Sequence, residues 1–344
     1  MAEIMGGGLH EYPYMRFSPE KIAGRFEASL QSPNITDELR DPKNWPAAMR
    51  EEYGNDHGVS AARAHQEQSA AAFRKLRQAI DDFNPDVVLI WSKEQMENFG
   101  EDCMPPFCVY AYEDMDIQPH HRFASMCPTI WGEDENTKVP IKGARLMGKY
   151  LTTKLMGHGF DMPYAYKPLH ETTLAHTFEG LITHLDWDRK GFPYPILPFY
   201  VNAYGHRHLT GKGESRDGEL DPPAPSPARC FELGRTTAQI LRDSPWRVAI
   251  IAGSSWSHAT GNPKNGYLHP DVEADRVLVK HLEQADYHAW RDLNLDTLVH
   301  SGQQEVLSWV ALAGAMEELK LHPTFVDVTE TWLFNSTKVT AIFH

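Results

Sequence analysis

Val87-Val88-Leu89-Ile90-Trp91 decides the fold. Five apolar residues in succession lack the apolar–polar alternation of a sheet with one wet face. They fit a strand covered on both sides, as in α/β proteins. A strong helical pattern precedes the run from about Ser60 to Asp82, and Asn84-Pro85 ends it. Arg247-Val248-Ala249-Ile250-Ile251-Ala252 repeats the buried pattern after a helix expected over about 228–243. Shorter strands are expected within residues 1–9, at Phe107-Cys108-Val109-Tyr110, near Ala165, over 195–201, and as a final pair at 324–328 and 338–343. Helices are expected over 141–157 and near 271–284, 286–292 and 303–319. Strands alternate with helices throughout. That pattern predicts one α/β domain over 1–344, with a central mixed sheet flanked by helices. Residues 17–60, rich in polar residues and prolines, read as an insertion of short helices and loops. Residues 111–140 read as loop-like, and the glycine- and proline-rich 209–228 as an exposed loop.

Composition narrows the function. With 344 residues, 41% of them hydrophobic and 23% charged, the chain can build a large core. A net charge of −14 disfavours nucleic-acid binding, which needs basic surface. No run approaches the length of a membrane span, and no signal peptide is visible. The 4 cysteines form no Cys-x-x-Cys pair and no disulfide framework. A cytoplasmic protein with no nucleic-acid or membrane partner is expected, and a homodimer is the default assembly.

Three stretches carry chemistry: Gly6-Gly7-Gly8-Leu9-His10, Ser254-Ser255-Trp256-Ser257-His258 and Ser301-Gly302-Gln303-Gln304-Glu305. An iron(II) site that activates oxygen commonly has two neutral nitrogens and one carboxylate, with positions left open for substrate. His10 follows glycines that let the backbone turn and aim an imidazole inward. Glu305 begins a helix whose core face includes Val306 and Trp309. His258 follows a strand in a serine-rich turn, suited to a base reaching over the sheet edge. Taken singly, each has a plainer reading: a packed or surface histidine, and an acid favoured by a helix dipole.

Together with further segments these stretches resemble the type III extradiol dioxygenases, the superfamily of the protocatechuate ring-cleavage β subunit. The segments are Ser92-Lys93-Glu94-Gln95-Met96-Glu97-Asn98-Phe99, Tyr166-Lys167-Pro168-Leu169-His170, Leu174-Ala175-His176-Thr177-Phe178, Pro227-Ala228-Arg229-Cys230-Phe231-Glu232-Leu233-Gly234, and Gly302-Gln303-Gln304-Glu305 with Trp309. The resemblance covers nearly the whole chain. It implies an Fe(II)-dependent enzyme that opens the ring of a catechol or related ortho-substituted phenol with O2. His10 matches a metal ligand, Glu305 the carboxylate ligand, His258 the acid/base histidine, and His176 a second histidine near the substrate.

The pattern breaks at the second histidine ligand, whose place is held by Gln95. Gln95 itself, His57 from the insertion, His65 from the long helix, or water are the alternatives. Lys93 puts a cation beside the expected metal site, paired with Glu94 or Glu97 or facing an anionic substrate. His206-Arg207-His208, with Arg207 as a carboxylate clamp, and His170 are further candidates, as is Asn202. Tyr12, Tyr14, Trp256 and Trp332 are candidate walls for an aromatic ring. Two rival readings remain: a zinc hydrolase on the same scaffold, and a non-enzymatic binding protein with a degraded metal site.

Overall fold

In the computed structural model, which describes residues 2–100, 102–205 and 222–344, the apolar runs become the middle of a mixed sheet. In chain order the strands are β1 (Ile4–Leu9), β2 (Val87–Ser92), β3 (Phe107–Tyr110), β4 (Met115–Ile117), β5 (Val139–Ile141), β6 (Tyr164–Ala165), β7 (Ile196–Val201), β8 (Val248–Gly253), β9 (Pro323–Thr329) and β10 (Lys338–Phe343). An 8-stranded sheet runs in the order β6-β3-β7-β2-β8-β1-β10-β9. Its centre, β7-β2-β8-β1, is parallel. Antiparallel pairings begin at β3 on one side and β10 on the other. The chain thus forms a single α/β domain with a large mixed sheet flanked by helices.

Both faces of that centre are covered, which is why its strands read as unbroken apolar runs. Val88, Leu89, Ile90 and Trp91 are each 0% exposed. Leu89 and Trp91 join the core on one side, and Val88 and Ile90 the core on the other. Each such side chain contributes about 1.5–3 kcal/mol on burial. The helix Leu307–Leu319 packs on the first side, and the helices Val59–Phe83 and His176–Leu185 on the second.

The glycines of β1 serve this packing, not a turn. A Cβ at Gly8 would lie 2.3 Å from the Trp309 ring, and one at Gly6 2.2 Å from Met316 Sδ. Helix Leu307–Leu319 therefore sits directly on the strand. This corrects the expectation that the run bends the backbone to aim His10.

The stretch 111–140 is less irregular than expected, because β4 pairs with β5 in a separate 2-stranded sheet. The expected helix over 141–157 begins only at Arg145. The insertion folds as the helices Pro19–Ser29, Asp37–Arg40 and Ala47–Tyr53. Most of the 209–228 loop lies outside the described residues, as do His206, Arg207 and His208. Among the described residues no helix is long and apolar enough to cross a membrane.

Candidate metal centre and cavity

The parallel strands all release their chains at the same sheet edge, where open α/β sheets bind ligands. Past β1 come His10 and Glu11, and past β2 comes Lys93. Past β7 come Asn202 to Tyr204, and past β8 come Ser254 to His258. Glu305 arrives in a short 3-10 turn, Gln304–Val306, just ahead of the helix Leu307–Leu319 instead of within it. Two contacts lock this segment to the loop of His258. The backbone N–H of His258 donates to Gly302 O at 2.9 Å. Gly302 has φ +69° and a Cβ there would lie 2.5 Å from His258 O, so glycine is required. Buried Asp275 ties the same segments together, accepting from Ser257 N at 3.1 Å and Gln303 Nε2 at 2.7 Å.

The result is a group of three buried side chains, Glu11, His258 and Glu305, whose ligand atoms all lie within 4.8 Å of one another, close enough to hold a metal ion. The tautomer suits that role. His258 Nδ1–H donates to Trp256 O at 2.7 Å, which leaves the Nε2 lone pair 3.3 Å from Glu305 Oε2. Glu11 Oε2 and Glu305 Oε2 are buried and have no hydrogen-bond partner among the described residues. Two orphaned carboxylate oxygens and a bare imidazole nitrogen form an O,O,N donor set that fits a divalent ion.

The opposite oxygens are taken. Lys93 Nζ lies 2.9 Å from Glu11 Oε1 and 2.8 Å from Glu305 Oε1. The Tyr204 hydroxyl also donates to Glu305 Oε1. Lys93 therefore pairs with neither Glu94 nor Glu97, the local partners expected from sequence. Burial pushes the Glu305 carboxyl up, against the pull of Lys93 and with help from Glu11. For Glu11, burial is the largest influence and acts upward too, but the Lys93 ammonium together with His176 and His258 outweighs it and holds the group below the usual carboxylate range. Burial, then Lys93, lowers His258 to about 4, so it is neutral at physiological pH.

The remaining expected ligands lie elsewhere. The backbone N–H of Tyr12 donates to His10 Nδ1 at 3.3 Å, so Nε2 carries the hydrogen and donates to Ser69 Oγ at 3.2 Å. Both nitrogens of His10 are thus engaged, and the ring packs against Phe73 and His184. The acid next to it, Glu11, reaches the centre instead. His57 is exposed and bonds Tyr53 Oη at 2.7 Å. His65 lies near Glu52 and Phe334, and His170 sits against Asp102 on the surface. Gln95 stands one residue removed, its Nε2 donating to Tyr204 Oη at 3.0 Å. Asn202 finishes its strand by accepting from Tyr204 N at 3.0 Å.

A cavity of about 400 Å³ opens over the centre. Glu11, Lys93, Gln95, His176 and His258 line it beside Tyr12, Tyr14, Phe123 and Phe334. Trp256 packs against Trp290 and Trp309 in the core instead. His176 opens its helix with its backbone N–H donating to Glu97 Oε1 at 3.0 Å, and its Nδ1 bonds the same oxygen. Glu97 also meets Arg122 Nε at 3.1 Å. Burial opposes ionisation of Glu97, but His176 and Arg122 hold its carboxyl well below the ordinary range. Arg25, from the insertion, lines the cavity too, and its Nε donates to Tyr14 Oη at 3.1 Å. Sequence reasoning missed Glu11, Tyr204, Asp275 and Arg25. The first has a visible signal, an acid two positions beyond a buried strand. The others become functional candidates only through tertiary contacts.

No family model matches the chain. Its sequence is similar to the 2,3-dihydroxyphenylpropionate/2,3-dihydroxicinnamic acid 1,2-dioxygenase of Photorhabdus laumondii, 22% identical over 58% of this chain and 52% of that protein. An enzyme of the same name from Pseudomonas putida is 24% identical over 62% of this chain and 55% of its own length. A gallate dioxygenase of Pseudomonas putida is 22% identical over 52% of this chain and 47% of its own. The matched region thus spans about half the length of these relatives. The relatives are named as dioxygenases of aromatic compounds.

Proposed function

We propose that this chain is a metal-dependent ring-opening dioxygenase whose substrate is a small aromatic diol carrying a carboxylate. The reading is carried by the convergence of Glu11, His258 and Glu305 beneath a cavity with aromatic walls. Similarity to dioxygenases of dihydroxyphenyl acids and gallate supports the same class of substrate. In this reading His258 is a ligand, not the acid/base histidine that the resemblance implies.

Fe(II) is the ion that suits the reaction: held by Glu11, His258 and Glu305, it would bring a catechol and O2 side by side and let electrons pass from ring to oxygen. The protein's own groups do the rest. His176, its Nδ1 fixed by Glu97, presents Nε2 as the proton carrier for a substrate hydroxyl. Tyr12, Tyr14 and Phe123 hold the ring. Arg25 binds the carboxylate at the cavity wall, where a guanidinium can engage both oxygens.

The test is oxygen uptake by protein purified without air, loaded with Fe(II), and given carboxylated and plain catechols. Uptake with a coloured ring-opened product is expected, greatest for carboxylated rings. An iron-loaded sample inert toward every ring diol contradicts the proposal. Iron in the purified protein favours it, and zinc favours a hydrolase. A second reading, an aromatic-binding protein without metal, is favoured by one observation, the Lys93 ammonium between the two carboxylates. Aromatic binding with no metal uptake would support that alternative.

A further inference from the structure

We propose that Lys93 is a built-in cation that competes with a divalent ion for Glu11 and Glu305, and so sets the metal affinity of the centre low. The inference rests on the ion-site reading above and concerns what that site does before an ion arrives. Lys93 follows the last residue of β2, in the middle of the sheet. Ser92 Oγ donates to Gly253 O at 2.9 Å and so fastens this strand end to β8. The Lys93 carbonyl accepts from Thr177 Oγ1, which fixes the backbone on its other side. The side chain is thereby aimed at the carboxylate pair, and the residue is 1% exposed. A lysine that deep persists only when paired. Both of its partners belong to the candidate ion site.

Charge gives the consequence. The Lys93 ammonium contacts one oxygen of each carboxylate, so a fixed cation already engages both of the acids a divalent ion would use. The ammonium holds the two Oε1 atoms, and the orphaned Oε2 atoms remain for a metal. An ion bound there shares its ligands with a fixed positive charge in a low-dielectric setting. The repulsion it meets is twice that of a unit pair. Lys93 also lines the cavity.

The experiment titrates Mn²⁺, read by the electron spin resonance of free manganese, into the full chain without air. The proteins are wild type, Lys93→Met, Glu11→Gln and the Glu11→Gln/Lys93→Met double variant, each checked for folding by circular dichroism. Lys93→Met is expected to bind Mn²⁺ at least about tenfold more tightly than wild type. If Lys93→Met fails to fold, the double variant, which removes one carboxylate along with the ammonium, decides by the same gain over Glu11→Gln. Equal or weaker binding without the lysine overturns the inference, as does no binding by any of the four. The dioxygenase reading fails separately. If Lys93→Met gains affinity while Fe(II)-treated wild type consumes no oxygen with any diol, the competition stands and the activity does not. Wild type that binds as tightly as the variant and consumes oxygen gives the reverse.

Discussion

His10 and Glu11 are neighbours in the chain and lie in opposite kinds of interior. His10 joins a neutral cluster. Its ring lies 4.9 Å from Phe73 and 5.5 Å from His184, and His184 stacks on Phe73 at 4.5 Å. Burial lowers both imidazoles; His184 and Lys338 lower His10 further, and Arg16 lowers His184 further against the upward pull of its hydrogen bond to the His10 carbonyl. Glu11 joins Lys93, Glu305 and the neutral His258, where the Lys93 ammonium contacts both carboxylates. The first cluster is packing that pins the end of β1. The second is a set of donors with two oxygens left over. Residue type alone favours His10 as the ligand, and the direction in which the chain leaves the sheet favours Glu11.

The largest expected effect breaks the charged side. Glu305→Ala removes one donor and leaves Lys93 with a single carboxylate. Manganese binding and any oxygen uptake should vanish, read by spin resonance and an oxygen electrode, and retention of both would dissolve the contrast.

A carboxylate that lacks a cation in contact among the described residues sharpens it. Glu94 is 3% exposed and accepts from Phe99 N at 2.7 Å, Asn98 N at 3.2 Å and Tyr110 Oη at 3.1 Å. Burial pushes its carboxyl up to about 8, whereas Lys93 takes Glu11 the other way. Between the ordinary carboxylate range and about 8, folded Glu94 holds a proton that the unfolded chain releases. Its contribution to stability is therefore present at low pH and lost as pH rises, at up to about 1.4 kcal/mol per pH unit. Urea unfolding at several pH values should show Glu94→Gln flattening this decline, and an unchanged slope would contradict the burial argument.

The neutral side gives a smaller effect. His10→Gln keeps a donor for Ser69 but loses the ring, and should cost about 1–3 kcal/mol in urea unfolding with manganese affinity retained. A folded variant that has lost the ion would restore His10 as a ligand. Smallest is Arg25→Gln, expected to raise KM about tenfold for a carboxylated diol and leave plain catechol unchanged. An equal rise for both would make Arg25 a wall, not a clamp.

Legibility followed the same division. β2 and β8 could be read directly, because burial on both faces writes an unbroken apolar run. The β4–β5 pair could not, since three residues such as Met115-Asp116-Ile117 carry too little pattern to separate a strand from a loop. Glu305 and His258 were visible as chemistry, while their bracing through Gly302 and Asp275 was not. Lys93 was visible as an anomaly, yet local spacing pointed to Glu94 and Glu97. Its actual partners come from the far ends of the chain, and only the meeting of β1, β2 and the Gln304–Val306 turn at one sheet edge brings them together. The glycine run was misread for the same reason, because the ring of Trp309 that demands it is remote in sequence.

The most direct measurement is an anomalous difference map from crystals of the wild-type protein soaked in saturating manganese. The account predicts one strong peak bonded to Glu11, His258 and Glu305, with His10 still hydrogen-bonded to Ser69. A peak beside His10 or His57, or none between the two carboxylates, would contradict it.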